Sequence, residues 1–258
     1  EKLLMPKPYI FDFDDAWHLR YKLKRSNLFK FFLENKVDKV VEGASLVMAG
    51  NSYLQDYASS LNRETTIFPT VLDTDRYQPT SNNNSDKLII GWIGSPSTAP
   101  YLKTLIPSLS QLGLEGQVLL RVIGGKAPKI PNIEVEEIPW SEETEVHYIN
   151  SFDIGVMPLE DDEWSKGKCA FKLLQYMACE LPVIASNVGA NIDVVSSDCG
   201  YLVDNDLAWI DAMRSLRDNL EQRSSFGKNG RKKVIQSYSL KSNLPILIKA
   251  IKNISIKI

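Results

Sequence analysis

Short apolar runs alternate with helix-like stretches over the first 75 residues. The predicted strands are YIFDF (9–13), SLVMAG (45–50) and TTIFP (65–69), and the predicted helices cover residues 26–40 and 51–61. Asn51 or Ser52 can cap the second helix, because both side chains accept a hydrogen bond from a free backbone N–H. The alternation predicts a parallel sheet in a first domain over residues 1–75.

A segment rich in Asn, Ser and Pro then interrupts the pattern, and residues 76–86 are predicted to form an interdomain linker. Beyond it the alternation restarts, which predicts a second, doubly wound α/β domain over residues 87–238. Its predicted strands are 87–93, 117–123, 133–138, 153–158, 182–186 and 200–203. Its predicted helices include 98–112, one that opens at Ser141, one that contains Lys168 and Lys172, and a short one near residue 190.

The composition is that of a soluble globular chain, with 258 residues, 43% hydrophobic content, 24% charged content and a formal net charge of −2. This balance gives no electrostatic case for a nucleic acid partner. The three cysteines match neither a zinc site nor a CxxC pair, so we expect a reducing compartment. No apolar stretch has the roughly 20 residues of a membrane span, and a cytoplasmic location is expected.

The stretch GKCAFKLLQYMACELPVIAS (167–186) has two faces at helical spacing. Phe171, Leu174, Ala178 and Leu181 are predicted to form a buried face, whereas Lys168, Lys172 and Gln175 form a polar stripe. Two lysines four residues apart repel each other, so a shared anion near the helix N-terminus would stabilise both. A pyrophosphate fits this pattern, with Gln175 one turn deeper beside a ribose. A solvated helix face would explain the same spacing.

A second stretch, IIGWIGSPST (89–98), runs from a strand into Gly94, Ser95 and two further hydroxyls at a helix start. Glycine allows the backbone to approach a ligand, and hydroxyls can bind phosphate oxygens. The stretch lacks the GxGxxG pattern of dinucleotide binding, and a capped turn between strand and helix accounts for it equally well.

Acidic residues gather at two places. Asp12, Asp14 and Asp15 follow the first strand, where they face solvent or serve a site as base, hydroxyl acceptor or metal ligand. No second cluster stands behind them, so no metal site is predicted. The run PLEDDEW (158–164) is either a solvated loop or a set of carboxylates for sugar hydroxyls. The basic and aromatic stretch 18–32 fits a solvated face or peripheral contact with an anionic membrane.

Together these stretches resemble family 4 glycosyltransferases of the GT-B fold, in which two Rossmann-like domains face each other across a nucleotide-sugar cleft. The resemblance runs through FDFDDAW, AGNSYLQDYA, IFPTVLDTDRYQP, IIGWIGSPST and, with the greatest specificity, FDIGVMPLEDDEW with KCAFKLLQYMACELPVIASNVG. It implies transfer of a sugar from a nucleotide diphosphate sugar, with retention of configuration and no obligatory metal or other cofactor. The implied acceptor is a sugar, a lipid-linked molecule or a protein in bacterial polysaccharide or glycoconjugate assembly.

The resemblance also assigns residues. Gly94 and Ser95 correspond to the phosphate-facing loop, Lys172 to the lysine that neutralises the diphosphate, and Ile138 with Pro139 to the nucleobase segment. Lys168 would share the phosphate role. Phe171, Gln175 and Glu163 are expected beside the donor. The family's usual pair of glutamates falls on Gly167 and Gln175, so Glu160 to Glu163 would have to supply the missing carboxylates. The position that often holds histidine in the first domain is Asp14, which would activate the acceptor.

Compared with the family, the first domain is about half the expected size, and we expect that its first strands lie upstream of Glu1. The last residues, 239–258, would form a helix that crosses back to the first domain. Two alternatives stay open. One is a nucleotide-sugar binding module without transfer, and the other is a GT-B sugar-nucleotide epimerase, although His18 and His147 form no evident acid and base pair.

Overall fold

The computed structural model describes residues 8–23, 35–80 and 85–255. The chain divides into two compact units. The first contains the residues up to Val71, the segment Asp161–Cys169 and the residues from Asn243 onward. The second contains Leu72–Glu160 and Ala170–Ser242. The first unit is therefore assembled from three separate stretches of the chain.

The first unit is built on a parallel sheet of three strands, in the order β1 (Ile10–Phe13), β2 (Leu46–Ala49) and β3 (Thr65–Ile67). Its described helices before Val71 are α1 (Trp17–Leu23), α2 (Lys36–Gly43) and α3 (Ser52–Ser59). The Asn51 side chain accepts a hydrogen bond from the Leu54 N–H at 2.8 Å, which confirms the predicted helix cap. Of the helix predicted over 26–40, residues 26–34 lie outside the described residues.

The second unit contains a six-stranded parallel sheet in the order β6-β5-β4-β7-β8-β9. The strands are β4 (Leu88–Ile93), β5 (Val118–Ile123), β6 (Glu134–Ile138), β7 (Ile154–Met157), β8 (Val183–Ser186) and β9 (Gly200–Val203). The chain moves outward from β4 to β6, then returns to the other side of β4 with β7. The carboxyl ends of β4 and β7 therefore form the switch point, where ligands of open α/β sheets bind. The predicted doubly wound parallel sheet is confirmed.

Apolar cores lie on both faces of this sheet, which is why the six residues of β4 are all buried. The helices that cover the sheet follow in chain order. They are the 3₁₀ helix Ala99–Leu105, α4 (Ile106–Glu115), α5 (Glu145–Ile149), α7 (Phe171–Ala178), α8 (Asn191–Val194), α9 (Asp206–Asp218) and α10 (Leu220–Ser237). The remaining helices are α6 (Glu163–Lys166), in the first unit, and α11 (Leu240–Ser255), whose residues from Asn243 onward are grouped with the first unit.

The predicted linker is described only in part, because residues 81–84 lie outside the described residues. Residues 76–80 belong to the second unit, and the Tyr77 side chain among them is buried. The buried Tyr77 therefore attaches this described part of the predicted linker to the second unit. The helix predicted over 98–112 is divided into a 3₁₀ and an α segment, with Pro107 in the first turn of the second.

Within the described residues, no helix is long and apolar enough to cross a membrane. The same part of the chain holds no group of three or more His, Cys, Asp and Glu side chains that could bind a metal ion.

Candidate functional site

Two glycine loops follow neighbouring strands at the carboxyl edge of the large sheet. Gly94 follows β4, and Gly124 with Gly125 follows β5. Gly124 has a φ of 76°, and a Cβ there would lie 2.4 Å from the Gly94 carbonyl oxygen. A Cβ on Gly94 would lie 2.4 Å from the Trp92 ring. Both positions therefore require glycine, and the two backbones approach each other closely.

The hydroxyls after Gly94 form a local hydrogen-bonded turn. The Ser95 N–H donates to Thr98 Oγ1 at 3.2 Å, and the Ser95 and Ser97 hydroxyl oxygens lie 2.8 Å apart. Ser95 and Ser97 are exposed, so their hydroxyls can turn toward a ligand without leaving a buried partner unsatisfied. The loop has the geometry of a capped turn, and phosphate binding by its hydroxyls stays a prediction.

A cavity of about 700 Å³ opens beside this loop. The loops after β4, β5 and β6 and the start of the 3₁₀ helix form its walls. The lining residues are Pro96, Ala99, Pro100, Lys103, Gly124, Gly125, Lys126, Ala127, Pro128, Glu137, Ile138, Pro139 and Trp140. The cavity thus brings the predicted nucleobase segment, Ile138 and Pro139, close to Pro96, which directly follows Gly94 and Ser95. Its charged lining residues are two lysines and one glutamate.

Tyr176 fixes helix α7 at the switch point. Its hydroxyl is fully buried, accepts a hydrogen bond from the Ile93 N–H at 2.9 Å and lies 3.5 Å from the Val156 carbonyl oxygen. The bonded groups belong to the ends of β4 and β7. Burial raises the pKa of Tyr176, so the side chain remains a neutral phenol.

Lys172 lies one turn before Tyr176 on the same face of α7. Its ammonium nitrogen is 5.5 Å from the centre of the Trp92 ring, within cation–π range. The same indole is the group that a Cβ on Gly94 or on Gly125 would touch. Lys172 is therefore placed next to the glycine loops, where an anion would meet the ammonium and the backbone together.

The predicted lysine stripe is wrong in its geometry. Helix α7 begins at Phe171, because Ala170 before it adopts a left-handed conformation with a φ of 57°. Lys168 precedes this break and belongs to the first unit, where its ammonium lies 3.9 Å from Asp15 Oδ1 and 5.3 Å from the Trp164 ring centre. Lys168 and Lys172 consequently do not share one helix face.

The predicted buried face of this helix needs one correction. Leu174, Ala178 and Leu181 are buried, but Phe171 is 41% exposed. Helical side chains point toward the N-terminus, so the first residue of a helix extends beyond its end and is not covered by an earlier turn. Phe171 therefore presents its ring at the start of α7.

Gln175 is buried, and its side-chain amide already has a protein partner. Its Nε2 donates to the Tyr77 hydroxyl at 2.9 Å, and that hydroxyl donates to Glu145 Oε1 at 2.6 Å. Burial first, and then the bond to Glu145, raises the pKa of Tyr77, so the tyrosine stays protonated and can donate. No local pattern predicts this pairing, because the two residues are 98 positions apart.

The acidic residues before α7 support local structure in the first unit. The Asp162 side chain caps α6 by accepting from the Ser165 N–H at 2.6 Å. Glu163 accepts from the Tyr53 hydroxyl at 2.6 Å, and this bond is the main cause of its lowered pKa. Burial, then the bond to Glu163, raises the pKa of Tyr53 to about 12. Glu163 is thus an ionised and partly engaged carboxylate.

Asp14 lies directly after β1 and is exposed. Its backbone carbonyl accepts a hydrogen bond from the Cys169 thiol at 3.0 Å, which leaves the carboxylate out of that contact. For the neighbouring Asp12, loss of hydration and then the charge of Asp14 raise the pKa. The carboxylates at this strand end therefore influence each other, as their spacing predicts.

Two residues at the cavity, Trp140 and Glu145, were not predicted from the sequence. Trp140 lines the cavity, and Glu145 is a buried acid at the first position of α5. The only local signal was an acid-rich helix start, which by itself is typical of a solvated first turn. The burial of Glu145 depends on partners far away in the sequence.

The sequence model of the family described as glycosyl transferases group 1 matches residues 87–219, just over half of the chain. No curated protein sequence matches the chain significantly. Among solved structures, sucrose-phosphate synthase from Thermosynechococcus elongatus is similar with a TM-score of 0.78 and 16% identity, over 100% of this chain and 70% of that one.

Two further structures are similar. Anabaena HepE, solved in complex with UDP-glucose, has a TM-score of 0.76 and 13% identity over 95% of this chain and 72% of its own. TarM has a TM-score of 0.71 and 14% identity over 94% of this chain and 50% of its own. At these identities the likeness shows the fold, and the fold is GT-B, as predicted.

Proposed function

The chain belongs to the group 1 glycosyl transferases, and we propose that it transfers a sugar from a nucleotide diphosphate sugar to an acceptor with retention of anomeric configuration. One observation carries the proposal. A cavity suited to a nucleobase and a lysine suited to a diphosphate lie at the same carboxyl edge of the large sheet, beside its switch point.

In the proposed complex the nucleobase enters the cavity against Ile138 and Pro139. The diphosphate lies over Gly94 and the exposed Ser95 and meets the ammonium of Lys172. Negative charge grows on the leaving diphosphate as the bond to the sugar breaks. A fixed cation and oriented hydrogen-bond donors stabilise that charge more than they stabilise the intact donor, which lowers the barrier.

These groups can also replace a metal ion, so we propose that transfer requires none. Lys103 and Lys126 add positive charge at the cavity. A cation held at a fixed point stabilises the charge on a leaving diphosphate, which is one of the roles of a divalent ion in other enzymes. Transfer that persists in excess EDTA is the expected result, and loss of transfer restored by Mg²⁺ would contradict it.

Other assignments remain proposals. Phe171, exposed at the start of α7, is positioned to contact the donor, and the carbonyl end of Gln175 is proposed to face the ribose. Asp14 is proposed to act on the acceptor hydroxyl. Lys168 is already paired with Asp15, and Glu163 accepts a hydrogen bond from Tyr53. To bind the nucleotide-sugar donor, either residue would have to give up that contact.

We propose a bacterial role in polysaccharide or glycoconjugate assembly, with a sugar, lipid-linked or protein acceptor. A structure of a Staphylococcus aureus TarM mutant contains UDP and α-GlcNAc-glycerol, a sugar joined to a small alcohol, which supports transfer of a sugar to an acceptor hydroxyl. A cytoplasmic location with peripheral contact at the inner membrane face is proposed from the basic stretch 18–32, of which residues 24–32 lie outside the described residues. Co-sedimentation with anionic vesicles, compared with Lys22 and Lys24 alanine variants, tests that contact.

A second candidate is a nucleotide-sugar binding protein without transfer activity. Gly167 takes the place of the first family glutamate, and a Cβ there would lie 2.5 Å from the Ala16 side chain. This close approach leaves no space for a glutamate in the described conformation. Steady release of nucleotide from a sugar donor in the presence of acceptor would exclude this candidate.

The central test is calorimetric titration with UDP, GDP and their common sugar conjugates, carried out on the wild type and on Lys172→Ala. A hydrogen bond to a charged group contributes about 1.5–3 kcal/mol, so the variant should bind its nucleotide roughly 10- to 150-fold more weakly. Lys232→Ala, at an exposed position of α10, is the matched control. Equal affinity in Lys172→Ala and the control would remove the phosphate role.

A further inference from the structure

The indole of Trp140 is held by a hydrogen bond at one edge, and the side chain is exposed. The side chain lines the cavity and the residue is 55% exposed, which is unusual for the largest apolar residue type. Its Nε1–H donates to Glu145 Oε2 at 2.6 Å. A tryptophan without a binding role would not need a hydrogen bond to a buried carboxylate at the protein surface. The indole is therefore held in one orientation with a face available to a ligand.

Glu145 is 5% exposed and satisfies three donors at once. Oε2 accepts from Trp140, while Oε1 accepts from the Tyr77 hydroxyl at 2.6 Å and from Arg76 Nη2 at 2.7 Å. Burial of a charge is costly unless it is paired and hydrogen-bonded, and this carboxylate is both. The indole thus bonds to a rigid, charged acceptor.

Anchoring of the segment that holds Tyr77 does not by itself explain the contact with Trp140. Arg231 already secures that segment, because its Nη1 donates to the Tyr77 carbonyl at 2.8 Å and its Nη2 donates to Gln78 Oε1 at 2.7 Å. Glu145 binds the same segment through Oε1 alone, and its other oxygen is used for the indole. The second bond therefore serves the cavity wall.

The lining of the cavity is suited to a flat aromatic ring. Four prolines, Pro96, Pro100, Pro128 and Pro139, contribute apolar surface to its walls. The acid among its lining residues, Glu137, uses Oε1 to accept from the Ala127 N–H at 2.9 Å and so braces the loop after β5. Aromatic faces stack on nucleobases irrespective of their hydrogen-bonding pattern, whereas phosphates gain nothing from an indole face.

We propose that the Trp140 ring is the stacking surface for the donor nucleobase and that Glu145 is a positioning residue that holds this ring in its binding orientation. The inference rests on the proposed function, since it assumes a nucleotide donor. It assigns base binding to Trp140 and Glu145 and leaves the diphosphate to Lys172 and the glycine loops.

The test measures the affinities of UDP, GDP and pyrophosphate for the wild type, Trp140→Ala, Glu145→Gln and the double variant. Trp140→Ala should weaken binding of the preferred nucleotide about 10-fold, the usual scale for a lost base–aromatic stack, and leave pyrophosphate binding unchanged. Glu145→Gln should weaken nucleotide binding by a smaller factor. The double variant should be no weaker than Trp140→Ala, because positioning matters only while the ring is present.

Two further variants separate positioning from stability. Glu142→Gln is the matched control, since Glu142 is exposed and accepts from the same Arg76 at 3.1 Å; it should leave affinity unchanged. Trp140→Phe keeps an aromatic ring without the N–H donor and leaves the buried carboxylate intact. Its affinity should lie between those of the wild type and Trp140→Ala, even if Glu145→Gln fails to fold.

Fluorine NMR supplies the structural readout. The five tryptophans are labelled as 5-fluorotryptophan, and the Trp140 signal is assigned by its loss in Trp140→Phe. UDP or GDP should shift this signal and pyrophosphate should not, and Glu145→Gln should shift it without ligand. Two results would overturn this inference and leave the proposed function intact. One is nucleotide binding that does not shift the Trp140 signal. The other is a loss of nucleotide affinity from Glu145→Gln that is equally large in the wild type and in Trp140→Ala. Absence of any nucleotide binding would overturn the proposed function together with this inference.

Discussion

Tyr176→Phe tests how the switch point is held open. Strands β4 and β7 pair through Ile90 with Ile154 and Gly91 with Gly155, and they separate toward their carboxyl ends. The Ile93 N–H lies beyond this ladder and donates to the Tyr176 hydroxyl at 2.9 Å. Removal of that oxygen leaves a buried N–H without its acceptor, which costs about 1–3 kcal/mol. The ring itself is kept, so no large cavity forms.

Urea unfolding followed by circular dichroism measures the effect. With an m-value of about 2 kcal/mol/M, a loss of about 2 kcal/mol lowers the midpoint by about 1 M. Tyr148→Phe is the control, because it deletes the same atom from a partly exposed tyrosine. Amide exchange at Ile93 should also accelerate in Tyr176→Phe. If the two variants unfold at the same midpoint and Ile93 keeps its protection, the hydroxyl does not support the strand end and the reasoning is refuted.

Two further predictions concern the second unit. Gly124→Ala should destabilise it by about 1–2 kcal/mol or more, because the backbone is left-handed there and the new Cβ would lie 2.4 Å from the Gly94 carbonyl oxygen. Thermal unfolding measures the effect, and an unchanged melting temperature would contradict the prediction. Hydrogen bonds from two arginines of α9, and then their charges, lower the pKa of Glu115 from its ordinary 4.5 to about 2. A lowered folded-state pKa stabilises the protein fully above pH 4.5, and the stabilisation is lost as the pH falls through 2, so Glu115→Gln should unfold more easily than the wild type at pH 6 and by a much smaller margin at pH 2. Urea midpoints of both proteins across that range are the measurement, and a difference that stays the same from pH 6 to pH 2 would disprove the assignment.

Local patterns account for much of the fold. The predicted strand 87–93 corresponds to Leu88–Ile93, and 182–186 to Val183–Ser186, because buried parallel strands are short apolar runs that need no distant information. The Asn51 cap is equally local, since donor and acceptor are three residues apart. Likewise, Gly94 is recognisable as the residue that ends a strand before a loop.

Helix boundaries near the site were harder to predict. The spacing of Lys168, Lys172 and Gln175 is helical, yet the left-handed Ala170 interrupts the register between the two lysines. Nothing in an alanine favours that conformation, which costs roughly 1–2 kcal/mol and persists only where surrounding contacts impose it. Lys168 lies before this break and contacts Asp15 and Trp164, whereas Lys172 lies after it in helix α7.

The sequence alone determined the order of strands and helices, the glycine loop after β4 and the helix that carries Lys172, because each depends on a pattern within about ten residues. The alternation of these elements also predicted the parallel sheets. Tertiary structure alone decided which polar groups meet. Tyr77 reaches Gln175 across 98 positions, and the strand order places the loops after β4, β5 and β6 around one cavity. Such pairings are set by the packing of whole elements, and the burial that makes them stable does not exist until the sheet has formed.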